Sequence, residues 1–184
     1  VGKTTFFNSF VDRRSIRNHY YPGTNIQVNT GYTTLEKKRY SVIDTPGIYN
    51  LIPNSENEIV TLRLILELKP EKIVFVTNED NIEHTLLIMI QLAELNIPFV
   101  VAFYRKNDFT PVSVLYDKDK LCTTFNTAAT YITPVVSKGL GTTRKKLIHA
   151  TTPRWVGAYT QDIENILVDF EKKFRFTLQN QFGL

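Results

Sequence analysis

Among 184 residues there is one cysteine, one methionine and one tryptophan. The lone Cys122 excludes an internal disulfide and fits a reducing compartment. His19, His84 and His149 are scattered along the chain, so no Cys/His zinc constellation can be assembled. No apolar run approaches the length of a transmembrane helix. Neither sign of charge dominates: 22 Lys and Arg face 18 Asp and Glu, leaving a formal +4. Internal repeats and low-complexity segments are also missing. With 42% hydrophobic and 22% charged residues, most of the chain has the composition of a folded protein rather than a disordered one. The length allows one good core and the beginning of a second module.

The basic residues gather at Arg13-Arg14-Ser15-Ile16-Arg17, Lys37-Lys38-Arg39 and Arg144-Lys145-Lys146. A nucleic-acid footprint would look like this. Solvated loops and helix faces would too. No RNA-binding motif surrounds Tyr20 and Tyr21, so the clusters read as solvated faces and no nucleic-acid partner is expected.

Chemistry begins at the first residue. Val1-Gly2-Lys3-Thr4-Thr5 matches the back half of a phosphate-binding loop, G-x-x-x-x-G-K-[ST]. Glycine lets backbone amides close around phosphate oxygens, lysine adds a point charge on the outer phosphates, and the threonine hydroxyl ligates Mg²⁺. Some forty residues on, Asp44-Thr45-Pro46-Gly47 offers a carboxylate for the same Mg²⁺ and a Gly47 amide for a terminal phosphate. Either run alone is weak; in this order and spacing they point to a guanine-nucleotide-binding domain. The first glycine of the loop, and the apolar strand that should lead into it, are expected ahead of Val1. The only methionine is Met89, so the chain reads as a fragment.

The pattern predicts an α/β fold. Lys3 to about Val11 reads as a helix with Phe6, Phe7 and Phe10 on its apolar side, and Arg13 to Asn25 as a loop. Ile26–Thr34 and Lys38–Ile43 read as strands joined by a charged turn, the second delivering Asp44 at its C-terminal end, where α/β sheets put their ligands. Ser55–Leu68 reads as a helix, Ser55 its N-cap and Glu58 three residues on completing a capping box. Lys72–Thr77 and Pro98–Phe103 are continuous apolar runs, as in strands buried on both faces. Ile82–Leu95 reads as a helix, Asp117 to about Ala129 as a weaker one, Tyr131–Val136 as a last strand and Thr142–Ala150 as a short basic helix. This alternation predicts a mostly parallel sheet covered by helices on both faces. Thr151-Thr152-Pro153 marks a boundary. Beyond it Ile163, Ile166, Leu167, Phe170 and Phe174 fall on one helical stripe. That stripe fits either a terminal helix packed on the domain or the first helix of a following module.

Several runs together go beyond a generic nucleotide fold. Tyr21-Pro22-Gly23, Asp44 through Leu51 (DTPGIYNL), Ser55-Glu56-Asn57-Glu58, Val76 through Leu86, and Gln91 through Pro98 resemble the G domain of the ferrous iron transport protein B family. The resemblance covers nearly the whole chain. It implies a P-loop GTPase fold over 1–152 and the start of a helical domain over 153–184. It further implies a cytosolic segment at the inner membrane of a bacterium, joined to helical and membrane domains. GTP or GDP with Mg²⁺ would be its cofactors, and ferrous iron uptake its coupled process. Self-association into a homo-oligomer is open. The resemblance assigns Lys3 and Gly47 to catalysis. It assigns Val1, Gly2, Lys3, Thr4, Thr5, Thr24, Asn25, Asp44, Gly47, Asn107, Asp108, Ser137 and Lys138 to nucleotide binding, and Thr4, Asp44 and Thr24 to the metal.

The chain departs from the family pattern in three places. In the base-reading Asn-Lys-x-Asp motif, Asn falls at Tyr104 and Asp at Asn107, with Asp108 next. The Mg²⁺-ligating Thr of switch I falls at Asn25, beside Thr24. The loop Val135-Val136-Ser137-Lys138-Gly139 lacks the usual Ser-Ala pair. Ile48 follows Gly47, so no glutamine is there to orient water, and hydrolysis is expected to be slow. These departures keep a second reading open, a nucleotide-insensitive G-fold interaction module. A ribosome-associated GTPase would share the phosphate loop and the DTPG run. It would usually carry an RNA-binding module, which is not visible here.

Overall fold

The computed structural model describes residues 2–78, 82–105, 118–133 and 139–154. Helix α1 (Lys3–Phe10) opens the fold and buries Phe6, Phe7 and Phe10, the stripe expected from their spacing. A 3₁₀ turn at Arg13–Ser15 leads into β1 (Arg17–Tyr20), followed by β2 (Gln27–Leu35) and β3 (Lys38–Asp44). These three strands form an antiparallel sheet in the order β1-β2-β3. After α2 (Glu56–Leu68) come β4 (Ile73–Thr77), α3 (Ile82–Glu94), β5 (Phe99–Tyr104), α4 (Lys118–Phe125), β6 (Ala128–Ile132) and α5 (Leu140–Ile148). Strands β4, β5 and β6 are parallel neighbours in a second three-stranded sheet.

β5 is the hub of the core. Residues Val100 to Phe103 are each 0% exposed, and successive side chains alternate between the two faces. Phe99, Val101 and Phe103 pack with Ile88, Met89 and Leu92 of α3 and with Leu121 and Phe125 of α4. Val100 and Ala102 pack with Phe6 and Phe10 of α1 and with Leu140 and Leu147 of α5. Helices therefore cover the parallel sheet on both sides, as the alternation of apolar runs implied. A third cluster, Val28 with Val60 and Leu64, fastens α2 to the antiparallel sheet.

Three local expectations change. Arg17–Tyr20, expected to be loop, is an edge strand whose four residues are all exposed. With no buried face it has no apolar alternation to announce it. Helix α4 stops at Phe125 because Asn126 adopts a left-handed conformation (φ 48°), and the last strand starts at Ala128 instead of Tyr131. Ile73 to Val76 are only half-buried, although their sequence reads as a strand enclosed on both faces. The reason is a cleft. Among the described residues β3 and β4 do not pair, and both face the space between the two sheets. The predicted stripe at 163–174 lies outside the described residues.

Candidate nucleotide and metal site

The site grows from the start of α1. Gly2 is its N-cap, in the left-handed region at φ 81°, where a side chain is strained. A Cβ there would also lie 2.2 Å from the ring of Tyr104, so glycine is required twice over. No side chain caps the helix and its first turn holds no acid. The first-turn amides are thus left to an outside acceptor, at the positive end of the helix dipole.

Asp44 ends β3 and is 5% exposed. Its carboxylate gathers three donors. Lys3 Nζ makes a close ion pair with Oδ1. Thr4 Oγ1 donates to Oδ2 at 2.8 Å, and Asn29 Nδ2 donates to the same oxygen at 3.2 Å. The two motifs forty residues apart in sequence therefore meet in one place. Gly47 lines the cleft together with Lys3 and Asp44. A hydroxyl and a carboxylate are hard oxygen donors of the kind Mg²⁺ takes, with water and phosphate oxygens completing its shell. Among the described residues no cluster of three His, Cys, Asp or Glu is placed to hold a metal by itself.

The other expected positions fare differently. Thr5 is exposed on the first turn, and its carbonyl accepts from Ser9 Oγ at 3.0 Å. Thr24 lies in the turn between β1 and β2. Its hydroxyl donates to the Tyr21 carbonyl (2.9 Å) and accepts from Ile26 N (3.2 Å), so it is committed to the turn and not to Asp44. Asn25 is exposed. Val1, Asn107, Asp108, Ser137 and Lys138 lie outside the described residues.

Two features escaped the sequence reading. Asn29 is one. The other is a clamp on the loop after Gly47. Ser55 Oγ does accept from Glu58 N (3.3 Å), one half of the capping box. The Glu58 carboxylate turns elsewhere, accepting from Tyr49 N and Asn50 N at 3.1 Å each and from Asn54 N at 2.8 Å. These backbone donors, with Asn54 foremost, outweigh burial and hold its carboxyl below the usual carboxylate range. Gln91 braces the same loop, accepting from Leu51 N (2.9 Å) and donating to Asn50 Oδ1 (2.5 Å).

The family model described as ferrous iron transport protein B matches residues 1–147. The chain belongs to that family. Among curated relatives, the Fe(2+) transporter FeoB of Methanocaldococcus jannaschii is 30% identical over 95 residues, 52% of this chain and 14% of the relative. That of Legionella pneumophila (strain Paris) is 26% identical over 154 residues, 82% of this chain and 20% of the relative. The chain thus spans a fifth or less of the length of these relatives. Among solved structures, the cytosolic domain of L. pneumophila FeoB superposes with a TM-score of 0.81 at 24% identity, covering 96% of this chain and 70% of that one. This likeness establishes the P-loop GTPase fold. A GDP-bound point mutant of the S. thermophilus FeoB G-domain gives 0.68 at 27% identity, covering 82% of this chain and 57% of that one.

Proposed function

We propose that this chain is the guanine-nucleotide-binding part of a ferrous iron transporter, hydrolysing GTP slowly and coupling nucleotide state to iron uptake. The observation that carries the reading is the convergence of Lys3 and Thr4, at the N-terminus of α1, on the buried Asp44. Relatives in the family include a G-domain bound to GDP, which supports the choice of ligand.

On this reading Lys3 exchanges its partner, leaving Asp44 for the outer phosphates of GTP. The amides of Lys3, Thr4 and Thr5 donate to phosphate oxygens along the helix dipole. Thr4 Oγ1 and Asp44 would hold Mg²⁺. When bound, Mg²⁺ neutralises charge on the phosphate oxygens. Gly47 offers its amide to the terminal phosphate. Ile48 packs against the apolar cluster around β5 and has no group to orient water. Turnover therefore rests on electrostatic stabilisation and is slow. Thr24 reaches the metal only by giving up two hydrogen bonds in its turn.

Base reading falls to Asn107 or, if its loop shifts by one residue, to Asp108, and Ser137 and Lys138 are further candidates for nucleotide binding. An asparagine amide opposes a guanine donor, so preference for GTP over ITP or XTP is small if Asn107 holds the place. The domain runs over 1–152, and 153–184 begin a helical domain on the cytoplasmic side of the membrane. No described helix is long and apolar enough to cross a membrane.

Calorimetric titration of the full-length protein with GTP, GDP, ITP, XTP and ATP, each with Mg²⁺ and with EDTA, tests this. Mg²⁺-enhanced GTP binding is expected. Absence of any Mg²⁺-dependent nucleotide binding would favour an interaction module that keeps the fold as a scaffold. Asp108→Ala abolishing GTP preference would assign the base contact to Asp108.

A further inference from the structure

The carboxylate of Asp44 has one donor that a nucleotide would not call away. Lys3 and Thr4 each have a second task, on phosphate and on metal. Asn29 has none. It sits on β2 directly opposite Asp44 in the antiparallel ladder, so its reach is set by strand register and not by a loop. Its amide meets Oδ2 at 3.2 Å, the oxygen that Thr4 also contacts.

The chemistry of the donor matters. An amide is neutral. It fixes the oxygen of Asp44 without cancelling the charge that attracts a cation, whereas Lys3 on Oδ1 does cancel it. A buried carboxylate oxygen that loses its donor turns to find another. We propose that Asn29 is the positioning residue that keeps the Asp44 carboxylate aimed at Mg²⁺ while Lys3 and Thr4 engage the ligand. The inference rests on the nucleotide-binding reading above. It also ties the metal site to the turn that holds Thr24, because β2 runs from that turn directly to Asn29.

The test is the Mg²⁺ concentration giving half-maximal enhancement of GTP binding in the full-length protein. Asn29→Leu, which keeps the bulk and removes the donor, should raise it about tenfold or more, the worth of one hydrogen bond to a charged group. Asn29→Gln, which keeps an amide, should return most of the way to wild type. Nucleotide binding in EDTA should stay within about twofold for both, a change too small to count as a lost hydrogen bond. If Asn29→Leu does not fold, Asn29→Ala gives the same readout without a buried apolar group. Half-maximal Mg²⁺ unchanged in the donorless variants overturns the proposal. So does an equal loss with Mg²⁺ and with EDTA, which would mark a packing role. Asp44→Ala is measured alongside. If it too leaves Mg²⁺ dependence untouched, the nucleotide reading fails first. If it abolishes the dependence while Asn29→Leu does not change it, only the role of Asn29 fails.

Discussion

The two sheets are built from opposite materials. In the parallel sheet, β5 is sealed between helices, and four consecutive residues, Val100 to Phe103, have no exposed surface. In the antiparallel sheet, β1 is exposed throughout and β2 alternates, with Val28, Gly31, Thr33 and Leu35 buried and Gln27, Tyr32 and Thr34 facing solvent. The first sheet is a packed core, and the second is a half-solvated blade that contributes few residues to it. The candidate site draws residues from both units. Asp44 ends the last strand of the blade, Lys3 and Thr4 start the helix packed on the core, and Gly47 follows on the connection between them.

The contrast is sharpened most by truncation in each sheet. Phe103→Ala, fully buried in the core cluster, should cost about 3–5 kcal/mol. Tyr32→Ala, on the solvent face of β2 with its ring 4.1 Å from the Arg39 guanidinium, should cost only about 0.5–1 kcal/mol. Denaturant unfolding of both variants checks this, and equal losses would mean that the blade is as firmly packed as the core.

A smaller effect is expected at the start of α1. Gly2→Ala places a side chain in the left-handed region, worth about 1–2 kcal/mol, and drives its Cβ into Tyr104. In a Tyr104→Ala background the clash is gone and the backbone strain stays. A double-mutant cycle by thermal or denaturant unfolding should therefore show Gly2→Ala to be less damaging in that background. Additive losses would show that the ring moves aside without cost.

Much of this architecture was legible. The β2–β3 hairpin, the Ser55 cap of α2, the apolar β5 and the meeting of Lys3 with Asp44 all follow from spacing and residue type. What escaped has physical reasons. The edge strand β1 buries nothing, so no alternation marks it. The end of α4 depends on one left-handed Asn126, which resembles any other loop asparagine in sequence. Asn29 meets Asp44 only through ladder register. Glu58 stands where a capping box wants it, and sequence cannot tell whether its carboxylate returns to its own helix or reaches the preceding loop. The faint signal was Asn50 and Asn54 following the DTPG run, side chains and amides in need of partners.

The smallest of the expected changes concerns that loop. Glu58 is held below the usual carboxylate range by the amides of Asn54 and Tyr49. A depressed pKa means that its contribution is fully present above the ordinary carboxylate pKa and lost as pH falls through the depressed value. Amide exchange at Tyr49, Asn50 and Asn54 should therefore gain in protection, relative to the intrinsic rate, as pH rises from strongly acidic toward neutral. In Glu58→Gln the protection should be lower and flat with pH. A pH profile unchanged by the substitution would show that Glu58 is not the group whose ionisation tightens the loop.

The central claim, that Lys3, Thr4 and Asp44 form one Mg²⁺–nucleotide site, is tested most directly by the Mg²⁺ dependence of GTP affinity in full-length wild type and Asp44→Ala. Loss of a charge-assisted contact worth about 1.5–3 kcal/mol predicts a fall of roughly ten- to a hundredfold in affinity with Mg²⁺. Affinity in EDTA should change little. The same gain from Mg²⁺ in both proteins would contradict the account.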